Sequence, residues 1–260
     1  MGTLATTLNA LMHAGLDFIF PPACASCQTL GWDLCPTCAQ AVEPMPATIC
    51  AHCGRVSPRA IVQCPLCRAG AFHALEMIRS AALFHSTLRA AIHAFKYTGQ
   101  TALAAPLARY LVTIYAQAPW RDLPHPIDAV VPVPLHATRL AQRGYNQSEL
   151  LAHAFSRQMA LPLAPHWIER VRWTRQQVGL DVAARQANVA AAFVATPAVQ
   201  GKTILLLDDV FTTGATLQAC AQAARLAGAR QVYGITLAAA LGTQADTQSD
   251  PNMRAGAPRF

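Results

Sequence analysis

The sequence predicts an α/β fold in which a doubly wound, mainly parallel sheet follows a small cysteine-rich module. Two apolar segments, 128–135 and 204–207, show no alternation with polar residues. Such segments are typical of strands buried on both faces, as central strands of a parallel sheet are. An alanine-rich run follows the second segment, and a crossover helix is expected there. The cysteine-rich module is predicted because eight of the nine cysteines lie before residue 68.

The cysteines of this module form four pairs, and two residues separate the members of each pair. Two such pairs supply four thiolates to one tetrahedral ion, so the spacing predicts two closed, structural zinc sites with sequential or interleaved pairing. Disulfides are the alternative, but they are rare in cytosolic enzymes, which the rest of the chain resembles. His52, inside the third pair, is predicted to be a solvated spacer, and Cys220 a small core residue. The predicted ligands are Cys24, Cys27, Cys35, Cys38, Cys50, Cys53, Cys64 and Cys67.

Two acidic residues, Asp208 and Asp209, follow the second apolar segment. Ligands of open α/β sheets gather beyond the carboxyl ends of the strands, so we expect both carboxylates to face hydroxyl groups or a cation. A turn of threonines around a glycine comes next, and a helix is predicted from about Thr216 to Gly228. Backbone N–H groups in such a turn, together with a helix N-terminus, bind phosphate. The stretch therefore predicts a site for a ligand with hydroxyls and a phosphate.

Two alternatives compete for the same stretch. A strand that ends in acids also resembles a Walker B element, and residues 201–203 resemble the end of a P-loop. However, Thr196 stands where the first P-loop glycine is needed, and Gly-Lys-Thr here precedes a strand instead of opening a helix. A solvated acidic turn without a ligand is the other alternative, and it would leave acids at the end of a buried strand without a partner.

Basic residues are concentrated upstream of the predicted site. The chain carries a net charge of +7, and residues 136–188 contribute seven arginines against three acids, a net +4. Arg139 and Arg143 follow the apolar segment 128–135, and Lys96 lies near the end of a helix predicted after Phe84. Arginine forms bidentate contacts with phosphate, so this segment predicts neutralisation of an anionic ligand. For Arg139, a solvated surface position is the alternative.

Residues 207–216 resemble the phosphoribosyl-pyrophosphate signature of type I phosphoribosyltransferases. Nearly the whole chain, from about residue 16 to 240, resembles the ComF family of competence-associated phosphoribosyltransferase-like proteins. The family resemblance rests on Phe20–Cys24, Val131–Leu135, Arg139–Leu140, Arg143–Ser148, Gln177–Leu180, Arg185, Asn188–Val189 and Phe193.

The resemblance implies a type I phosphoribosyltransferase fold that binds phosphoribosyl pyrophosphate with magnesium. It implies that Asp208 and Asp209 hold the ribose hydroxyls, directly or through the metal, and that the following loop wraps the 5'-phosphate. Pyrophosphate would be neutralised by Lys96, Arg139 and Arg143. The ligand-binding stretch so implied is Asp208, Asp209, Val210, Phe211, Thr212, Thr213, Gly214, Ala215 and Thr216.

The resemblance also implies a role in DNA uptake, in which the protein handles incoming single-stranded DNA beside a helicase-like partner during natural transformation. It leaves the acceptor of a phosphoribosyl transfer undefined, and with it the status of the protein as an enzyme. The alternative is a non-catalytic single-stranded DNA-binding factor that uses the phosphoribosyl-pyrophosphate site only for regulation. Trp173, Tyr145 or Tyr97 would then stack on bases, although core packing is the alternative for these rings.

We expect four regions: an N-terminal helix over 1–16, a double zinc ribbon over 17–72, a phosphoribosyltransferase domain over 73–241 and a polar, disordered tail over 242–260. Residues 173–190 correspond to the mobile hood of such enzymes. No apolar run approaches the roughly 20 residues of a membrane span. The first 20 residues lack the basic segment and cleavage site of a secretory signal, so a cytoplasmic protein is predicted.

Overall fold

The computed structural model describes residues 21–172 and 192–241. The predicted N-terminal helix, the hood and the tail lie outside these ranges. The helices are α1 (Pro36–Gln40), α2 (Pro65–Arg68), α3 (Ser86–Tyr97), α4 (Ala104–Tyr115), α5 (Ala137–Arg143), α6 (Gln147–Met159) and α7 (Ala215–Leu226). The strands are β1 (Met77–Leu83), β2 (Ala129–Pro132), β3 (Ile168–Arg170), β4 (Phe193–Ala195), β5 (Thr203–Phe211) and β6 (Gln231–Ala239).

Four strands form the main sheet in the order β1-β6-β5-β2, and every neighbouring pair is parallel. Strands β3 and β4 form a separate antiparallel pair. The two apolar segments identified in the sequence become β2 and β5, and residues 204–207 are fully buried. Burial on both faces explains why these segments do not alternate with polar residues.

Helices cover both faces of the sheet and create two cores. On one face, α3, α4 and α6 pack with Leu205 and Leu207. On the other face, α7 packs with Ile204 and Leu206. The prediction of a doubly wound parallel sheet is therefore confirmed.

Local contacts set several of the element boundaries. Helix α6 begins at Gln147, because Asn146 caps it by accepting the Ser148 N–H at 3.1 Å. Helix α4 is preceded by a 3-10 turn at Thr101–Leu103. Strand β5 continues to Phe211, so the two acids lie inside its last residues and Asp208 pairs in register with Thr236 of β6.

The cysteine-rich module covers the outer edge of β1, the side that no other strand of the sheet pairs with among the described residues. The Ile78 N–H donates to the His52 carbonyl at 2.8 Å, and the Leu83 N–H donates to the Glu43 carbonyl at 2.9 Å. An open strand edge invites pairing with another chain, and this module blocks it. In the described ranges, no helix is long and apolar enough to cross a membrane.

Candidate functional site

The eight paired cysteines gather into two groups, which we call the first cluster (Cys24, Cys27, Cys35 and Cys38) and the second cluster (Cys50, Cys53, Cys64 and Cys67). Within each group the four sulfur atoms lie within 4.8 Å of one another. The Sγ–Sγ distance is 3.6 Å for Cys27 and Cys35 and 3.7 Å for Cys53 and Cys64. Zn–S bonds of about 2.3 Å in a tetrahedron place sulfurs about 3.8 Å apart. Both groups therefore fit zinc, and the pairing is sequential.

The thiols of each cluster need a cation to ionise together. Burial raises the pKa of Cys38 to about 12 and the pKa of Cys53 to about 12. A divalent metal displaces these protons and holds the thiolates, so its binding also stabilises the fold of the module. His52 lies outside both clusters and its Nε2 is 2.8 Å from the Leu75 carbonyl oxygen. Cys220 is fully buried in the core beneath α7, as predicted.

The two acids of β5 have different surroundings. Asp209 is buried, and its Oδ1 lies 2.9 Å from the Lys96 Nζ in the last turn of α3. The other oxygen of this carboxylate, Oδ2, is buried and has no hydrogen-bond partner among the described residues. Asp208 instead accepts the Ser148 hydroxyl at 2.8 Å and the Asp209 backbone N–H at 2.9 Å, both on Oδ1. An unpaired buried carboxylate oxygen is costly and fits a ligand hydroxyl or a cation.

Burial and neighbouring charges bring the pKa of Asp208 close to neutral pH. Burial raises the pKa of Asp208 to about 7, and the negative charge of Asp209 contributes to the increase. The Ser148 hydroxyl and the Lys96 ammonium oppose this increase. A bound cation or hydroxyl donor would favour the ionised carboxylate, so this residue can change its protonation when a ligand binds.

The loop after β5 leads directly into α7. Gly214 has a φ of +80°, and a Cβ at this position would lie 2.5 Å from ring atoms of both Phe211 and Phe72, so only glycine fits. The Thr213 hydroxyl accepts the Ala215 N–H at 3.3 Å. Gly214 is the N-cap of α7 and offers no side chain to the first turn, whose remaining N–H groups are available to an anion.

The predicted basic residues approach the site from α3 and α5. Lys96 contacts Asp209, as described above. The guanidinium of Arg143 stacks on the Tyr97 ring at 5.3 Å and donates to the side chain of Gln147. Arg139 lies one turn earlier on α5 and is exposed; burial lowers the pKa of Arg170, and the charge of Arg139 adds to this decrease. Lys96 thus contacts an acid directly, Arg143 lies against the ring of the neighbouring residue Tyr97, and Arg139 is exposed.

Two of the rings considered for base stacking lie in the described residues. Tyr145 is half-buried, packs against the Phe95 ring with centroids 6.1 Å apart, and donates its hydroxyl to the Phe95 carbonyl. Tyr97 is 55% exposed, and its ring lies beside the Arg143 guanidinium and the His93 ring, whose centroid is 4.9 Å away. Trp173 lies outside the described residues.

Three further residues join the site without having been predicted. Ser148 belongs to the motif after β2 but received no role, and its position in the first turn of α6 brings it to Asp208. Burial lowers the pKa of the half-buried Arg170, and the charge of Asp208 opposes this decrease, so the two groups interact electrostatically. Arg55, in the cysteine module, donates to the loop after β5. Its partners are 157 and 158 residues away, and a single sequence carries no signal for such a contact.

A double cysteine–metal module joined to a doubly wound sheet with paired acids defines a zinc-ribbon α/β protein. In agreement, residues 15–69 match the family described as a double zinc ribbon domain. DNA utilization protein YhgH of Salmonella typhi is 32% identical over 192 residues, or 74% of this chain and 83% of that protein. Competence protein F of Haemophilus influenzae is 30% identical over 212 residues, or 79% of this chain and 90% of that protein. The chain therefore belongs to the ComF family, as the sequence motifs indicated.

More distant similarities were also found. Competence protein ComFC of Bacillus subtilis is 25% identical over 194 residues, or 73% of this chain and 76% of that protein. Among solved structures, the glutamine phosphoribosylpyrophosphate amidotransferase of B. subtilis superposes with a TM-score of 0.38 and 18% identity, over 56% of this chain and 30% of that chain.

Proposed function

We propose that this protein binds phosphoribosyl pyrophosphate with Mg²⁺ at the end of β5 and acts in DNA utilization, the role that its relatives' names describe. The observation that carries the proposal is the buried Asp209, whose Oδ2 lacks a partner among the described residues. This oxygen lies directly before a loop and a helix N-terminus suited to phosphate.

The acids would bind the ribose portion of the ligand. Lys96 stabilises the charge of Asp209 at 2.9 Å and leaves Oδ2 to accept a ribose hydroxyl or bind the metal. Ser148 orients Asp208 through the bond to Oδ1, so its second oxygen is directed to the other hydroxyl. Magnesium bound to the pyrophosphate would offset part of the leaving-group charge.

The loop would bind the 5'-phosphate through N–H groups of the first turn of α7 and the hydroxyls of Thr212, Thr213 and Thr216. Arg139 and Arg143, with Lys96, would neutralise pyrophosphate. In the transfer, a nucleophile forms a bond to the anomeric carbon while the bond from that carbon to pyrophosphate breaks. Because the departing group carries the charge, positioning and electrostatic stabilisation would supply most of the rate.

Calorimetry tests the binding step. We expect wild type to bind phosphoribosyl pyrophosphate in the presence of magnesium, and the double variant Asp208→Asn with Asp209→Asn to lose binding while it still unfolds cooperatively. Asp122→Asn is the matched control, because Asp122 is exposed and precedes β2 at the opposite end of the strand. Unchanged affinity in the double variant would exclude this site. A screen of bases, nucleotides and single-stranded DNA for pyrophosphate release then identifies the acceptor.

Single-stranded DNA binding is a second candidate function, favoured by the exposed Tyr97 ring beside Arg143. Bases stack on such rings, and arginines contact the backbone. With about three to five phosphate contacts, the log–log salt slope should be roughly −2 to −3.5. Filter binding of oligonucleotides across a salt series measures it.

Substitutions of Arg172 and Arg170 distinguish the binding of single-stranded DNA from the binding of phosphoribosyl pyrophosphate. Arg172 is exposed, so Arg172→Ala should flatten the salt slope by about 0.7 and leave phosphoribosyl-pyrophosphate binding unchanged. Arg170 interacts electrostatically with Asp208, and Arg170→Ala should therefore weaken the binding of both ligands. Absence of oligonucleotide binding by wild type at low salt would exclude this second function.

A further inference from the structure

An arginine of the cysteine module reaches the loop that follows β5. The Nη2 of Arg55 donates to the Thr212 carbonyl at 2.8 Å and to the Thr213 carbonyl at 2.9 Å. Bonds from a charged donor are stronger than those between neutral groups. These two contacts join the module to the part of the loop that leads into α7.

Aromatic packing reinforces the same contact. The Arg55 guanidinium lies 4.9 Å from the Phe211 ring centroid and 6.0 Å from that of Phe72, which is also part of the N-terminal module region. The two rings are 5.8 Å apart and close against Gly214, where no Cβ would fit. The loop backbone is thus held between an arginine and two aromatic rings.

The second cluster fixes the position of Arg55. Arg55 follows Cys53 and Gly54, and its carbonyl accepts the Cys50 N–H at 2.9 Å. Gly54 has a φ of +70°, and a Cβ there would lie 2.7 Å from the Ile78 carbonyl oxygen of β1. The metal-binding turn therefore rests directly on the sheet, and Arg55 extends from it toward the loop.

A hydrogen bond that fixes the direction of a backbone carbonyl also fixes the direction of the N–H group in the same peptide unit. The C=O and the following N–H of one trans peptide point in opposite directions in the same plane. Because Arg55 draws the Thr212 and Thr213 carbonyls toward itself, the N–H groups of Thr213 and Gly214 point to the other side of the loop. Those are donors that a phosphate at this turn requires.

We propose that Arg55 is a positioning residue that orients the phosphate-binding loop, and that it couples metal binding in the second cluster to phosphate binding in the loop. The identity of the ligand rests on the proposed function, but the orientation of the loop does not. Coupling between sites is reciprocal, so the ligand should also stabilise the metal in the second cluster.

Three variants test the orientation of the loop through amide hydrogen exchange without any ligand. We expect faster exchange of the peptide that covers residues 208–216 in Arg55→Ala and an intermediate rate in Arg55→Lys, since lysine keeps the charge but not the planar fork. Low millimolar guanidinium should restore slow exchange in Arg55→Ala. Arg68→Ala is the control, because Arg68 lies in the same module and its side chain donates to the Gln63 carbonyl. Exchange in Arg55→Ala equal to that in Arg68→Ala overturns the proposal.

Calorimetry with phosphoribosyl pyrophosphate tests the consequence for binding. We expect affinity at least about tenfold lower in Arg55→Ala, partial recovery in Arg55→Lys, and an unchanged value in Arg68→Ala. Faster loop exchange with unchanged affinity overturns the coupling. If wild type itself does not bind this ligand, the proposed function fails, and hydrogen exchange still decides whether Arg55 orients the loop.

The reciprocal effect, stabilisation of the metal by the ligand, is measured through the protection of the metal-binding cysteines. Zinc-loaded protein is challenged with a chelator and an alkylating reagent, and the labelled cysteines are identified by mass spectrometry. Phosphoribosyl pyrophosphate should slow labelling of Cys64 and Cys67 but not of Cys24 and Cys27, and Arg55→Ala should abolish the difference. Equal protection of both clusters would contradict a route through Arg55.

Discussion

The two cysteine clusters have the same pair spacing but different attachments. The first cluster belongs to the core with α4, where the Tyr110 hydroxyl donates to the Ala39 carbonyl at 2.7 Å. The second cluster belongs to the core beneath α7, and its neighbour Arg55 holds the loop that leads into this helix. Spacing therefore predicts where metal binds, whereas the surrounding contacts decide whether that metal influences the ligand site.

The clusters also differ in exposure. All four cysteines of the second cluster are buried, whereas Cys27 of the first is exposed. A chelator gains access first where a ligand sulfur meets solvent. The first cluster should consequently exchange its metal faster, even though the second is the one connected to the site.

The largest expected effect comes from removing each metal site in turn. We expect wild type to contain two zinc ions with reduced thiols, and one ion each in Cys24→Ser with Cys27→Ser and in Cys50→Ser with Cys53→Ser. Each loss removes metal-dependent folding energy on the order of 10 kcal/mol. Only the second-cluster variant should lose phosphoribosyl-pyrophosphate binding. Elemental analysis and calorimetry measure both, and equal loss of binding in the two variants would contradict the comparison.

Substitution of one glycine near each cluster tests the same comparison with a smaller loss of stability. Gly54→Ala should cost about 2–5 kcal/mol of unfolding free energy, because a positive φ and a backbone clash with Ile78 act together. Gly31 also has a positive φ, but a Cβ added there would meet nothing within 4 Å, so Gly31→Ala should cost about 1–2 kcal/mol.

Denaturant unfolding of both glycine variants in the zinc-loaded state measures the difference. Loop exchange over residues 208–216 should increase only in Gly54→Ala, because this substitution displaces the turn that carries Arg55. Similar costs for the two glycines would mean that the second cluster does not rest tightly on β1.

Much of the architecture could be predicted because it depends on local patterns. The unbroken apolar segments indicated β2 and β5, and the paired cysteines indicated both metal sites. Strands β1 and β6 were not identified, since Ser80 and Thr236 interrupt their apolar sequences. Their hydroxyls satisfy each other across the sheet at 2.7 Å, a pairing that is visible only after the strands are adjacent.

The sequence predicts a phosphate site after β5, but it does not predict the contacts that support the two acids. Paired acids before a Thr/Gly turn indicate a phosphate ligand, but they do not reveal that Lys96 contacts Asp209 while Ser148 contacts Asp208. Arg55 and Arg170 come from other elements, and their roles depend on tertiary packing. Residues that orient a site across the chain have no spacing rule that a single sequence could display.

The pH dependence of the unfolding free energy distinguishes the contribution of Asp208 from that of the cysteine clusters. Because the folded pKa of Asp208 is raised to about 7 from an ordinary value of 3.8, the folded state keeps a proton that the unfolded state loses in this window. Unfolding free energy should therefore fall as pH rises toward 7, by at most about 1.4 kcal/mol per pH unit, and level off above it.

Asp208→Asn removes this titration and keeps both clusters unchanged, so its stability relative to wild type should increase with pH up to about 7. Denaturant unfolding of both proteins at several pH values measures the difference. A constant difference would show that Asp208 is ionised throughout, and that burial does not govern its charge.

The smallest expected effect concerns the first cluster's own contact with the sheet domain. Tyr110→Phe removes the hydroxyl that donates to the Ala39 carbonyl at 2.7 Å, within helix α1 of the first cluster. A lost hydrogen bond of this kind costs about 1 kcal/mol. Since this contact lies on the face away from α7, loop exchange and ligand affinity should match wild type, unlike those of Arg55→Ala. Faster exchange of residues 208–216 in Tyr110→Phe would mean that both clusters influence the loop through the sheet, and that Arg55 is not the specific link.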